Sequence, residues 1–153
     1  SAAGPAPATG PTRGEAASGA TVLLRDGGAD SDALAAAPAL AAVIDGRTLA
    51  NGITAEAVLR RARDLSRLCA GHPGRTRDFA LLFVCAAGDP VAQAGLSMLA
   101  RTLALEWAPA AARVNTLIWH GPETGALTHL SDYLTGPRSA YVTGQVIEAG
   151  QTA

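Results

Sequence analysis

Lysine is missing from this sequence. All twelve basic residues are arginines, so any step that needs a lysine ammonium, such as a phosphate-cradling Gly-Lys loop or a Schiff base, is closed to this chain alone. Cysteine is scarce: Cys69 and Cys85 are the two present, both in apolar segments. That setting predicts buried, inert thiols in a reducing cytoplasm rather than a disulfide or a metal site. His72, His120 and His129 are scattered without ligand spacing, which argues against zinc. A net charge of −1 supplies no attraction toward nucleic acid or an anionic membrane. No apolar run reaches the length of a membrane span, and no stretch combines the basic start and apolar centre of a secretory signal.

What is present fits one domain. The chain has 153 residues, 48% of them hydrophobic, enough to bury a real core. Residues 1–19, "SAAGPAPATGPTRGEAASG", have no apolar period and read as a flexible tail or linker. The serine at position 1 is consistent with processing or a tag remnant. Residues 20–153 read as the folded domain.

Within that domain, short apolar runs alternate with helical patterns. "ATVLLRD" (20–26), "AAVIDGR" (41–47), "DFALLFVCA" (78–86), "ARVNTLIW" (112–119) and "YVTGQVIEA" (141–149) are expected strands. "DALAAAPALA" gives a short helix or irregular segment broken by Pro38. Thr54 stands where an N-cap belongs, and behind it Val58, Ala62, Leu65 and Cys69 share one helical face. A second helix runs from about Val91 to Ala108. Its Leu96, Met98, Leu99, Leu103, Leu105 and Trp107 surround most of the circumference, with Gln93, Ser97 and Arg101 as a narrow polar stripe. A helix apolar nearly all round must be covered on more than one side, by the sheet and by another helix or another subunit. "ALTHLSDYLTG" is a short helix. Strands alternating with helices predict a mainly parallel sheet between helical layers, a three-layer α/β/α sandwich of truncated Rossmann-like (flavodoxin-like) type, wound with right-handed crossovers.

From about Phe79 to Ile147 the chain resembles the short-chain dehydrogenase/reductases, particularly the 3-oxoacyl-thioester reductase branch. "AGLSMLARTLALEWAPAAARVN" is similar to that family's long helix and following strand, A-L-x-x-L-T-R-x-L-A-x-E-x-A…I-R-V-N. "YLTGPRSAYVTGQVI" is similar to its late segment, F-L-x-S…Y-V-T-G-Q-V-I. The resemblance implies an NAD(P)-dependent hydride-transfer fold. Residues 20–77 match only as a generic βαβα pattern and are too short for the family's complete nucleotide-binding half.

The family's working positions then fall on unfamiliar residues. Where the resemblance places the glycine-rich loop T-G-x-x-x-G-I-G, this chain has "RDGGADSDA"; Gly27 and Gly28 are followed by Asp30 and Asp32, which repel a phosphate. The Tyr-x-x-x-Lys positions are Asp89 and Gln93, and the catalytic serine falls near Cys85 or Ala86. An ionised Asp beside a neutral amide has no proton to give an alkoxide. Tyr133 and Tyr141 lie in other elements, in packing or turn roles. The P-G-x-x-x-T cofactor loop aligns as Trp119, His120 and then Thr124, the one cofactor-binding candidate retained. "AGQT" (149–152) stands for the terminal V-D-G-G.

The departures fall on chemistry and the matches on scaffold. In the family, the long helix and final strand also form the main subunit contacts. The leading expectation is therefore a catalytically degenerate reductase-like subunit, without its own cofactor or catalytic residues, assembling with a full-length short-chain reductase homologue that holds NAD(P). Its expected contacts are Leu96, Leu99, Leu103 and Trp107 on the helix, and Tyr141, Val142, Val146 and Ile147 on the last strand. A homo-oligomer could use the same surfaces. One alternative is a small NAD(P)-dependent 3-oxoacyl reductase with His120, Asp89 or Glu123 as acid/base. Another is a binding module for a ligand or an acyl carrier protein, using Arg60, Arg61, Arg63, Arg67, Arg75 and Arg77.

Overall fold

A computed structural model describes residues 20–24, 39–49, 54–71, 79–122 and 125–151. Five strands are present among them: β1 (Ala20–Leu24), β2 (Ala39–Asp45), β3 (Ala80–Ala86), β4 (Arg113–Trp119) and β5 (Val146–Ala149). Four α-helices accompany them: α1 (Gly46–Leu49), α2 (Ala55–Gly71), α3 (Pro90–Glu106) and α4 (Gly125–Thr135). All neighbouring strands are parallel, in the order β1-β2-β3-β4-β5. The central strands are continuous apolar runs because both faces of the sheet are covered. On one face Ile44, Leu81, Phe83 and Val114 pack with Val58, Leu65 and Leu96 of α2 and α3. On the other, Val43, Leu82, Val84, Leu117 and Trp119 pack with Leu127 and Leu134 of α4. The expected parallel, three-layer sandwich is what forms.

Helix α2 follows its sequence pattern closely. Thr54 Oγ1 accepts the Ala57 amide at 3.2 Å, satisfying an otherwise orphaned donor. Val58, Ala62 and Leu65 are fully buried, while Arg60, Arg63 and Arg67 are exposed. Helix α3 begins with Asp89, whose carboxylate accepts the Ala92 amide at 3.1 Å, and Pro90 stands in its first turn. Trp107 closes it and meets Phe79 edge-on, ring centroids 6.4 Å apart.

Three features differ from the sequence-based expectation. The second strand starts at Ala39, where a helix or irregular segment was expected, and ends at Asp45 in the single turn α1. The last strand begins at Val146 rather than Tyr141. Side chains replace the ladder before it: the Val114 amide donates to Thr143 Oγ1 at 3.0 Å, and the Gln145 amide to Asn115 Oδ1 at 3.0 Å.

The third difference is one of hand. The β2–α2–β3 and β3–α3–β4 connections lie on one face, and β4–α4–β5 lies on the other, although strand order advances in the same direction throughout. Parallel crossovers on opposite faces in one direction have opposite hands. The rule of right-handed crossovers, which the sequence reading assumed throughout, therefore cannot hold for all three. Arg113 sits at the base of this exception. It is 8% exposed, and its guanidinium donates to the Ser139 carbonyl and Oγ at 2.8 Å each, to the Gly136 carbonyl at 3.0 Å and to the Leu134 carbonyl at 3.4 Å. A cation on the last carbonyls of α4 suits the negative end of its dipole and pins the helix to β4.

Candidate functional site

In open α/β sheets, ligands sit beyond the carboxyl ends of the strands, in the crevice where strand order reverses. Among the described strands the order does not reverse, so the carboxyl edge is the place to look, without that crevice. Residue by residue, this edge is occupied by the chain's own contacts. Asp45, at the end of β2, is buried and accepts Arg47 Nε at 2.9 Å and Nη2 at 2.8 Å.

Asp89 and Gln93, the positions the resemblance assigns to the catalytic pair, lie one helical turn apart at the end of β3. Both carry structural bonds. Asp89 caps α3, and Gln93 Nε2 donates to the Ala86 carbonyl at 3.2 Å and also to the Ala87 carbonyl. The amide thereby ties the helix back to the turn that precedes it. Beside them the Cys85 thiol is buried and pushed up to about 11, first by desolvation and then by the Asp89 charge. At neutral pH it is a thiol, and this agrees with the inert role expected for it.

Trp119, at the end of β4, is 7% exposed and turned into the α4-side core. Its indole N–H donates to the Pro122 carbonyl at 2.9 Å. Two glycines admit the ring. A Cβ on Gly121 would come 3.2 Å from it, and one on Gly150 would come 3.1 Å from it and 2.7 Å from the Gly121 amide nitrogen. Gly150 also has φ +88, which disfavours other residues there. Next along, His120 Nε2 and Glu148 Oε2 are 3.0 Å apart, a partly exposed pair joining the ends of β4 and β5.

A second candidate lies on the outer side of α3. Residues facing the sheet are mostly small (Ala92, Ala100 and Ala104, with Leu96), and all are buried. The large side chains thus divide between the helix flanks and solvent. Leu99, Leu103 and Trp107 are half-buried and pack on the core under α3. Val91 (61%), Met98 (62%) and Leu105 (79%) point outward as an exposed apolar stripe with the spacing of a helical face.

This corrects part of the expected contact set. Leu96 is fully buried against the chain's own sheet and reaches no outer surface. Val91, Met98 and Leu105 were missed as an outward set because every large apolar residue was read as core. The alanines at 92, 100 and 104 were the available signal that the sheet side is small. Tyr141 is 100% exposed and therefore packs on nothing, while Val142 and Ile147 are half-buried on the α4-side core and Val146 is half-buried. Tyr133 is 43% exposed. Glu123 and Thr124, the loop at 27–32, the tail, His72, Arg75 and Arg77 lie outside the described residues, as does the Cys69 side chain. Among the described residues no group of three or more His, Cys, Asp or Glu could hold a metal, and no helix is long and apolar enough to cross a membrane.

No protein-family model and no curated protein matches the chain. Solved structures do. A short-chain dehydrogenase/reductase from Serratia marcescens BCRC 10948 superposes with a TM-score of 0.57 at 19% identity, covering 80% of this chain and 73% of that one. The enoyl-[acyl-carrier-protein] reductase (NADH) from Aquifex aeolicus VF5 gives 0.56 at 15%, over 71% and 59%. An NADPH-bound short chain oxidoreductase from Pseudomonas aeruginosa PAO1, described as containing an atypical catalytic center, gives 0.51 at 17%, over 79% and 71%. At these identities the likeness is one of fold: the chain has the fold of short-chain dehydrogenase/reductases.

Proposed function

We propose that this chain is a catalytically degenerate subunit of that fold, cytoplasmic, which builds a hetero-oligomer with an active NAD(P)H-dependent ketoreductase of acyl thioesters. The observation that carries the reading is the outward stripe of α3, where Val91, Met98 and Leu105 stand more than half exposed on an otherwise well-buried helix. An exposed apolar face of this kind is characteristic of a subunit contact.

The absence of catalysis in this chain is supported by what Asp89 and Gln93 do. One caps α3 and the other staples the β3–α3 turn, so both polar groups are committed to the scaffold. The described residues of the carboxyl edge do not fit a dinucleotide, since Asp45 and Glu148 add negative charge and Trp119 closes the end of β4. NAD(P) is accordingly assigned to the partner subunit. Affinity purification from the source organism tests the assembly: a full-length reductase should co-elute with the wild-type chain, and Met98→Glu/Leu105→Glu should lose it while melting normally. Co-elution that survives both substitutions places the contact elsewhere and sinks the reading.

One observation favours a second reading. The His120–Glu148 pair at 3.0 Å is the remaining polar group at the carboxyl edge suited to acid/base work, and the Pseudomonas oxidoreductase of the same fold has an atypical catalytic center. A small NAD(P)-dependent reductase using His120 would bind NADPH by itself and lose turnover on His120→Ala.

A further inference from the structure

Helix α2 runs beside the outward stripe, and the two helices enclose an open groove of about 340 Å³ lined by Glu56, Leu59, Arg60, Arg63, Gly95 and Leu99. Its floor is apolar and close-packed, because a Cβ on Gly95 would stand 2.5 Å from the Leu59 methyls. Its rim is charged unequally. Arg60, Arg63 and Arg67 are exposed along the rim side of α2, and Arg101 stands between Met98 and Leu105 on α3. The carboxylates on the same side are Glu56, already 3.2 Å from Arg60, and Glu106. Asp64, 3.8 Å from Arg63, projects from the other flank of α2.

A second copy would bring the same surplus of guanidinium groups against this rim. A two-fold contact sets each patch against itself, so the surplus repels. The floor requires an apolar ridge and the rim requires negative charge. We propose that the α2/α3 groove docks a helix of another protein whose apolar ridge is flanked by carboxylates, and that its arginines select this partner over a second copy of the chain. The inference rests on the subunit reading above and specifies the chemistry of its partner.

The test uses two helical peptides matched to the 17 residues of α3, each with one leucine stripe, flanked by Glu in one and by Lys in the other. Fluorescence anisotropy with the full chain reads their affinities. The Glu peptide is expected to bind at least about tenfold tighter than the Lys peptide, and more weakly as salt rises from about 50 to about 300 mM. Arg60→Glu/Arg67→Glu, on exposed positions, should reverse the preference without lowering the melting temperature. Equal affinities, a preference for Lys, or no binding of either peptide would overturn the proposal. So would sedimentation of the chain alone as a dimer that Met98→Glu dissociates, since a second copy would then fill the groove. If the peptides fail while a full-length reductase still co-elutes, this inference falls and the subunit reading stands. If the Glu peptide binds but no reductase co-elutes, the reverse holds.

Discussion

Replacing Arg113 by Met tests whether one buried guanidinium holds the oppositely handed crossover. The methionine keeps the apolar stem and removes the fork. Four contacts are lost, to the carbonyls of Leu134, Gly136 and Ser139 and to the Ser139 hydroxyl, at 2.8 to 3.4 Å. Some of the cost is offset locally, since Ser139 Oγ also donates to the Gly136 carbonyl at 3.2 Å and to the Tyr133 carbonyl at 2.8 Å. Charge-assisted hydrogen bonds contribute about 1.5–3 kcal/mol each when removed singly, and dismantling a buried charged cluster costs about 3–5 kcal/mol in total. We therefore expect about 3–5 kcal/mol of destabilisation, or roughly 10–20 °C in melting temperature for a domain of this size. Arg113→Lys, keeping the charge without the fork, should lose roughly half as much. Calorimetry gives the total, and amide exchange locates it: α4 should lose protection before α2 does. A melting temperature within about 3 °C of wild type, with α4 exchange unchanged, would refute the clamp.

Three further outcomes follow from local geometry. Asp89→Ala should lower stability by about 1 kcal/mol through loss of the α3 cap, measured by urea unfolding, without altering any turnover the chain shows. In a Cys69→Ser background, Cys85 should resist iodoacetamide at pH 8 until the chain is unfolded. Because the folded thiol titrates at about 11 against an ordinary 9.0, its contribution to stability is complete below pH 9 and is lost as pH rises toward 11; rapid native labelling at pH 8 would contradict this. Gly95→Ala should destabilise, since overpacking against Leu59 costs about 1–3 kcal/mol and outweighs a helix-propensity gain of about 1 kcal/mol. Adding Leu59→Ala should recover part of the loss, and simple additivity in the double mutant would count against the contact.

The scaffold was legible where local chemistry and burial agree. Thr54 and the Val58–Ala62–Leu65 face define α2, and the apolar runs at β3 and β4 define strands buried on both sides. The remainder depended on contacts far apart in sequence. The stretch before Val146 alternates like a strand, yet its pairing is taken over by Thr143 and Asn115. The hand of the last crossover rests on Arg113 reaching residues more than twenty positions ahead. At the candidate site, the replacement of the expected catalytic pair was visible in the residue types, whereas the bonds that Asp89 and Gln93 make were not. The outward stripe of α3 was obscured because alanine, rather than leucine, faces most of the sheet.

Calorimetric titration of the purified chain with NADH and with NADPH addresses the central claim most directly. No binding heat at cofactor concentrations up to about 1 mM is the predicted result, which corresponds to affinity weaker than about 4 kcal/mol. Saturable binding of either nucleotide in the low micromolar range would contradict it, and would return the chain to the enzymes whose fold it has.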